Sequence, residues 1–205
     1  MLSAHTGRLL QASFPGVLDE SRRAHTELSP HDPALALMTD FERTSPRVVA
    51  RTVPIDRALE RMRLMGVRSL FVLEHDGRPI GLVTSYDIQG EKPMRVLQSR
   101  DCQLHSCLRA DVVVADMMEP LEQLPTLEFE DVRRATIAEI AAAFRTEGKT
   151  HLVVTQHHTS SENPAIIRGL FSAAELERRL GVRLQMLPLA RTFAEIERAI
   201  HGAGT

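Results

Sequence analysis

Two hydroxyl–carboxylate pairs are the residues of this sequence best suited to binding chemistry. Thr84 precedes Asp87 by three positions, and Ser172 precedes Glu175 by the same interval. A hydroxyl at a strand-to-helix junction lies beside unpaired N–H groups of the helix, which attract anions. A carboxylate one turn later can accept two hydrogen bonds from a cis diol, and hydrogen bonds that involve charge are strong. The same spacing also describes a capping box, in which both side chains satisfy helix N–H groups, and the two interpretations can hold together.

A cysteine–histidine cluster suggests a different chemistry. Cys102, His105 and Cys107 lie within a short polar stretch. Their spacing matches no common paired-cysteine zinc pattern, and a fourth ligand would have to come from a distant part of the chain. We therefore favour a solvated linker with incidental thiols, and no metal, over a zinc site.

Composition narrows the class of protein. The chain of 205 residues is long enough to bury a core, and its formal net charge is −2. With no Trp and one Tyr it has little to stack bases on, so we expect no nucleic-acid partner. No run approaches the roughly 20 apolar residues of a membrane span, and the N-terminus lacks the pattern of a signal peptide. Two cysteines in such a chain favour a cytoplasmic location over a disulfide framework.

The second half of the chain repeats the first. Ile55–Leu73 aligns without a gap with Ile137–Thr155, and after a longer loop Gly81–Asp87 aligns with Gly169–Glu175. A repeat of this length is a whole folded unit, so two copies predict one pseudo-symmetric domain. The interface between the copies would then provide two related clefts for a ligand.

Each copy is predicted to be α/β, in the order strand, helix, strand, strand, helix. In the first copy a helix starting at Ile55 carries its apolar residues on one face and ends at Gly66. Asp76-Gly77 is a hairpin signal between the next two strands. The second copy keeps this order, with Gly148 after its first helix and a longer, polar hairpin loop.

The predicted organisation has four parts. Residues 1–33 form an N-terminal extension that is partly ordered at best, and 34–111 form the first repeat with a linker. Residues 112–182 form the second repeat, and 183–205 form a C-terminal tail with an amphipathic helix.

The two copies resemble a tandem pair of cystathionine-beta-synthase (CBS) domains, also called a Bateman module. Each copy ends in Gly-hydrophobic-hydrophobic-Thr/Ser-x-x-Asp/Glu, and Ala36–Thr39 and Val114–Pro120 look like the lead-in segments of such repeats. The resemblance covers roughly residues 34–182 and implies a stand-alone regulatory module of two packed β-α-β-β-α repeats.

The resemblance implies an adenosine-derived ligand: AMP, ADP, ATP or S-adenosylmethionine. In the family, the Thr or Ser of the terminal motif contacts phosphate and the Asp holds the ribose diol. The matching residues here are Thr84 and Asp87 in the first copy, and Ser172 and Glu175 in the second. Arg68 stands where the family often places a basic phosphate ligand.

We expect the two clefts to be unequal. Glu175 departs from the Asp of the family, and its extra methylene moves the carboxylate outward. Thr150 replaces the charge of Arg68 in the second copy, whose hairpin is also longer. These differences predict that the cleft of Thr84 and Asp87 is the tighter nucleotide site.

The expected function is a non-enzymatic sensor that needs no cofactor, binds an adenine nucleotide as regulatory ligand and signals to an unknown regulated protein. The alternatives are a structural or dimerisation module with degenerate sites, and a metal-dependent enzyme or sensor built on the cysteine–histidine cluster. We also expect a homodimer, because the helices that flank the terminal motifs carry more apolar residues than one small sheet needs. These residues are Ile88, Leu97, Leu176 and Leu180.

Overall fold

The computed structural model describes residues 28–157 and 165–184, which form two four-stranded sheets with helices packed against them. The strands are β1 (Thr39–Asp40), β2 (Val48–Ala50), β3 (Ser69–Leu73), β4 (Pro79–Thr84), β5 (Glu119–Pro120), β6 (Thr126–Glu128), β7 (His151–Gln156) and β8 (Ile166–Ser172). The helices are α1 (Ile55–Leu64), α2 (Ser85–Gln89), α3 (Lys92–Leu97), α4 (Arg100–His105), α5 (Val114–Met117), α6 (Phe129–Val132), α7 (Ile137–Glu147) and α8 (Ala173–Leu180). The predicted α/β class and the order of elements in both repeats are confirmed.

The two sheets exchange their lead-in strands. The first sheet has the order β2-β3-β4-β5 and the second β1-β8-β7-β6, so β1 joins the second repeat and β5 joins the first. Glycine makes both exchanges possible. A Cβ at Gly81 would lie 2.7 Å from the Glu119 carbonyl oxygen, and a Cβ at Gly169 would lie 2.8 Å from that of Thr39. Only a residue without a side chain allows backbones to approach so closely.

The first long helix of each repeat ends as the sequence predicts. α1 buries Ile55, Met62 and neighbouring apolar residues, and Gly66 follows it with φ of +64°. α7 begins at a capping box in which Thr136 accepts a hydrogen bond from the Glu139 N–H, and Gly148 follows it with φ of +62°. A left-handed residue at this point satisfies the last helix carbonyls, and glycine adopts it without a steric penalty.

The core joins the repeats into one module. Each repeat has its own apolar cluster, and a third cluster lies between the sheets and takes residues from both. The members of this shared cluster are Phe41, Phe71, Leu82, Leu121, Leu124, Val153, Ile167 and Leu170. Because every one of these side chains is buried, separating the repeats would expose apolar surface of both.

The end of the predicted N-terminal extension packs on the second repeat. The Pro30 carbonyl accepts a hydrogen bond from the Ala138 N–H at 2.8 Å, and the Asp32 carbonyl accepts one from the Ile137 N–H at 3.0 Å. These bonds satisfy two of the free N–H groups at the start of α7. The predicted C-terminal helix lies outside the described residues. Among the described residues, every helix is too short or too polar to cross a membrane.

The cysteines of the linker form a disulfide between Cys102 and Cys107. α4 ends at His105, and the next residue, Ser106, turns the chain back with a φ of 53°. The Cys107 N–H then donates to the Cys102 carbonyl at 3.0 Å. The prediction of incidental free thiols is therefore wrong, because a local chain reversal brings the two sulfur atoms together. The predicted cytoplasmic location rested partly on reduced cysteines, and it stays a prediction.

Candidate functional site

The two hydroxyl–carboxylate pairs lie at matching strand-to-helix junctions. Thr84 ends β4 and precedes α2, while Ser172 ends β8 and precedes α8. The pseudo-symmetry therefore places one pair in each of two clefts between the repeats. We name them the Thr84 cleft and the Ser172 cleft after these residues.

The Ser172 cleft contains a cavity of about 660 Å³. It is lined from the second repeat by Ser172, Glu175 and Arg178, and from the first by residues that include Arg47 and Arg68. A cavity of this size lies within the range of small-molecule sites. The sequence assigned Arg68 to the same site as Thr84 and Asp87, whereas the structure places it on the wall of the cavity that holds Ser172 and Glu175.

One wall of this cavity is apolar. Phe41 and Phe71 pack edge to face, with ring centroids 5.6 Å apart and an interplanar angle of 81°. Leu170 of β8 lies beside them in the cluster shared by the repeats, and all three residues line the cavity. These side chains are almost fully buried, so they close the cavity on this side and present a small apolar surface to it.

The charged residues of the cavity are mainly basic. Among the described residues that line it, three are arginines, Arg47, Arg68 and Arg178, and one is a carboxylate, Glu175. Arg178 donates to Glu175 through Nε at 3.0 Å and through Nη2 at 2.7 Å. These hydrogen bonds raise the pKa of Arg178. Positive charge remains in excess, so the cavity favours an anionic ligand.

Ser172 does not use its side chain to cap α8. Within residues 165–184 its hydroxyl makes no capping hydrogen bond, although its backbone has the extended conformation of an N-cap. Glu175 bonds to Arg178 instead of returning to Ser172. The capping-box interpretation therefore fails for this pair, and the Ser172 hydroxyl is available to a ligand at the helix N-terminus.

In the Thr84 cleft the hydroxyl and the carboxylate bind each other. The Thr84 N–H and hydroxyl donate to Asp87 Oδ2 at 2.8 and 2.6 Å, and the Asp87 N–H donates to Thr84 Oγ1 at 3.2 Å. Lys92 forms an ion pair with the other oxygen of Asp87 and donates to the Met117 carbonyl at 3.2 Å. Both oxygens of the Asp87 carboxylate thus have partners in the protein.

A second ion pair crosses the Thr84 cleft. Glu119 of β5 pairs with Lys149, which precedes β7. In the sheet registers and the repeat alignment these positions correspond to Thr39 and Val67, and both of those residues line the Ser172 cavity. The Thr84 cleft therefore contains the Glu119–Lys149 ion pair at the positions where Thr39 and Val67 border the cavity of the Ser172 cleft.

His151 lies between the clefts and is neutral. It is the first residue of β7, only 5% exposed, and its Nδ1 lies 3.0 Å from Thr150 Oγ1. Burial lowers the pKa of His151 to about 4, and the negative charge of Asp87 opposes this shift. His151 also lines the Ser172 cavity, where it offers a polar but uncharged surface at neutral pH.

Sequence reasoning missed several residues of the cavity. Thr39 ends the first lead-in, and Phe41 and Arg47 lie between it and β2; the sequence patterns assign this stretch to no site. A signal was present, since aligning the lead-in segments places Met38 opposite Met118 and Thr39 opposite Glu119. That alignment shows neutral and charged residues at matching positions, but not which cleft they line.

Comparisons with known proteins find one family match and several similar solved structures. Residues 38–91 match the family model described as CBS domain. An uncharacterized conserved protein from Pyrococcus horikoshii is 19% identical, covering 78% of this chain and 100% of that chain, with a TM-score of 0.49. The CBS-pair protein CBSX2 from Arabidopsis thaliana is 22% identical over 73% of this chain and 94% of that chain, with a TM-score of 0.44.

A structure of CBSX2 in complex with AMP is 20% identical, covering 69% of this chain and 90% of that chain, with a TM-score of 0.46. A comparison with curated proteins finds no match.

The fold and the clefts define an α/β module of two pseudo-symmetric units that share their sheets. The match over residues 38–91 identifies the first unit as a CBS domain, and the second repeats its order of elements and exchanges a strand with it. The chain therefore contains a CBS domain over residues 38–91, followed by a second unit with the same order of elements.

Proposed function

We propose that the Ser172 cleft binds an adenosine phosphate and that the module acts as a regulatory sensor. The observation that carries this proposal is the cavity of about 660 Å³ in which Ser172 and Glu175 of the second repeat face Arg68 of the first. A ligand there contacts both repeats at once. It can therefore favour one arrangement of the repeats over another and pass that change to a partner.

Each part of such a ligand has a complementary surface. The small apolar surface of Phe41, Phe71 and Leu170 contacts the adenine ring. The Ser172 hydroxyl and the arginines can donate hydrogen bonds to phosphate oxygens, because guanidinium groups bind phosphate with paired, charge-assisted hydrogen bonds. Glu175 accepts the ribose diol.

The pairing of Glu175 with Arg178 sets a condition on binding. When the ribose diol takes the Glu175 carboxylate, Arg178 turns from that carboxylate to the phosphate. The ligand thus replaces one charge-assisted interaction with two. The excess of arginine also favours the anions AMP, ADP and ATP over S-adenosylmethionine, whose sulfonium and ammonium groups are positive.

This proposal reverses the order that the sequence predicted for the clefts. A ligand in the Thr84 cleft would have to displace Lys92 from Asp87 and to separate Glu119 from Lys149. We therefore propose that the Ser172 cleft is the tighter site. The ion pairs of the Thr84 cleft also favour, for that cleft alone, the alternative of a structural site that does not take nucleotide.

Calorimetric titration of the purified protein with AMP, ADP, ATP and S-adenosylmethionine tests the proposal. We expect saturable binding of the adenosine phosphates and weaker binding of S-adenosylmethionine. Arg68→Gln should weaken AMP binding roughly tenfold to a hundredfold, since a hydrogen bond to a charged group contributes about 1.5–3 kcal/mol.

Arg57→Gln is the matched control. Arg57 lies on α1, pairs with Glu60 and does not line the cavity, so its removal should leave AMP affinity unchanged. Equal losses in both variants would show a general effect of charge. Absence of AMP, ADP and ATP binding at millimolar concentration would refute the sensor function.

The homodimer remains a proposal, but its original argument does not hold. Ile88 and Leu176 are fully buried within a single chain, and Leu97 and Leu180 pack against the same cores. The exposed apolar residues lie elsewhere, and they include Met94, Leu104 and Leu108. Light scattering at micromolar concentration measures the oligomeric state, and a monomer would contradict the proposal.

A further inference from the structure

Arg68 belongs to two cavities. Besides the Ser172 cleft, it lines a cavity of about 440 Å³ on the side of the first repeat where α1 ends and α2 begins. We call this second cavity the outer pocket; Met62, Tyr86 and Gln89 also line it. The segment from Gly66 to Arg68 is common to the linings of both cavities, so it forms a wall between them.

Tyr86 holds the guanidinium of Arg68 at this wall. Arg68 Nη1 donates to the Tyr86 hydroxyl at 3.1 Å. Tyr86 is the second residue of α2 and is 56% exposed, so its ring contributes little to the core. The hydrogen bond to Arg68 is a more specific role for this side chain than packing.

The second repeat cannot form this pair. The residues that correspond to Arg68 and Tyr86 in the repeat alignment are Thr150 and Ala174. Ala174 lines the Ser172 cavity, and Thr150 bonds to His151. The pair is thus a property of the first repeat and not of the fold.

We infer that Tyr86 is a positioning residue for the anion site of the Ser172 cleft, and that occupancy of this cleft changes the surroundings of Tyr86 on the outer face. The inference rests on the proposed function. The guanidinium has five N–H groups, and Tyr86 accepts from one of its nitrogens, which leaves donors for an anion in the cleft. Holding a long side chain in place before binding lowers the entropy cost of the complex.

The composition of the chain makes the second half of this inference directly measurable. Tyr86 is the one tyrosine of the sequence, which contains no tryptophan. Protein labelled with ring-13C tyrosine therefore gives aromatic tyrosine signals from Tyr86 alone. We expect these signals to shift during titration with AMP and to saturate at the concentrations at which calorimetry shows binding. In Arg68→Met the signals should no longer respond to AMP.

The positioning role is tested by Tyr86→Phe, which keeps the ring and removes the hydroxyl. AMP binding should weaken about two- to tenfold, the range expected when one long side chain must be ordered on binding, while the melting temperature stays unchanged. Gln89→Ala is the matched control, since Gln89 lines the outer pocket without a hydrogen bond to Arg68 in the described part of the chain. It should bind AMP like the wild type.

The outcomes separate this inference from the proposed function. Calorimetric binding of AMP with unmoved Tyr86 signals, or with equal or tighter binding by Tyr86→Phe, overturns the inference and leaves the sensor function intact. Absence of calorimetric binding by the wild type overturns both.

Discussion

The two clefts of this module are built from equivalent strands and helices, but their polar side chains make different contacts. In the Ser172 cleft the polar groups surround a cavity, whereas in the Thr84 cleft the equivalent groups bind one another. The closer match to the family motif, Thr84 with Asp87, is the pair that forms a complete capping box and an ion pair with Lys92. A motif that satisfies its own hydrogen bonds gains local stability, and it has less to offer a ligand. A close match to the family motif therefore does not by itself indicate that the motif's polar groups are open to a ligand.

The largest difference between the two sides concerns the exchanged strands. Arg168 of β8, whose side chain is 8% exposed, pairs with Asp40 and Glu42 and lies 4.3 Å from the centroid of the Phe129 ring. On the other side the corresponding residue is Ile80. Arg168→Ala should lower the free energy of unfolding by about 1.5–3 kcal/mol, because it removes the buried guanidinium that donates to the partly buried Asp40 carboxylate.

Urea denaturation measures this change, and Ile80→Ala is the matched control with an expected smaller loss. The double variant Arg168→Met with Asp40→Leu should recover part of the stability, since a packed apolar pair can replace a buried ion pair. A loss below 1 kcal/mol in Arg168→Ala would show that the second exchange does not depend on the ion pair.

A pH dependence of similar size should come from His151. Its pKa falls from 6.5 to about 4 on folding. Between these two pH values His151 is therefore protonated in the unfolded chain and neutral in the folded chain. The contribution of this group is complete above pH 6.5 and is lost as the pH falls towards 4, by about 3 kcal/mol in total. The free energy of unfolding, measured by urea between pH 4 and 7, should show this slope.

Replacement of His151 by the residue of the other repeat isolates its effect. Ser69 occupies the corresponding position, so His151→Ser is the natural variant. The slope between pH 4 and 6.5 should flatten in this variant, whatever its stability at pH 7. An unchanged slope would assign the pH dependence to other groups.

Removing the carboxylate of each cleft in turn compares the two clefts directly. Glu175→Ala should weaken AMP binding roughly tenfold, the lower end of the range for a charged partner, because Arg178 is released to the phosphate. Asp87→Ala should leave AMP affinity unchanged and lower the free energy of unfolding by about 1 kcal/mol through loss of the cap. Calorimetry and urea denaturation of both variants give the result. The opposite pattern would restore the order predicted from the sequence.

The smallest expected effect comes from a double variant that removes the ion pair across the Thr84 cleft and so makes room there for a ligand. Glu119→Thr with Lys149→Val places the residues of the Ser172 cleft at the equivalent positions of the Thr84 cleft. The ion pair is partly exposed, so its removal should cost about 1 kcal/mol or less. We expect a second, weaker phase of AMP binding in calorimetry. A single phase identical to that of the wild type would mean that Lys92 alone is enough to close the cleft.

Local sequence patterns predicted the elements but not the contents of the clefts. Gly66 and Gly148 marked the ends of two helices correctly, because a left-handed cap depends on the residue itself. Glu119 and Lys149 become partners only after β5 joins the first sheet, and no local pattern contains that exchange. Arg168 and Asp40 are 128 residues apart, so their pairing is equally invisible to spacing rules.

Two other errors have the same origin. The sequence predicts Ile88 and Leu176 as surface for a second chain, because one small sheet per repeat should not need their side chains. They are buried because each helix also packs on neighbouring elements, as α2 does on α1 and α3. The Cys102–Cys107 pair was missed because the residue that turns the chain, Ser106, is rarely left-handed.

The exchange of β1 and β5 also governs how the chain can reach its native state. The Thr39–Leu170 pairing joins positions near opposite ends of the described chain, so the second sheet gains its edge strand only after most of the polypeptide has been made. Long-range pairing of this kind slows folding, because a large loop must close first. A fragment cut in the linker would carry an orphan β1 and would lack β5, which leaves the open edge of β4 to pair with other chains. Each half is therefore prone to aggregate alone. Mixing the two fragments should allow them to reassociate, because β1 of the first fragment can pair with β8 and β5 of the second can pair with β4.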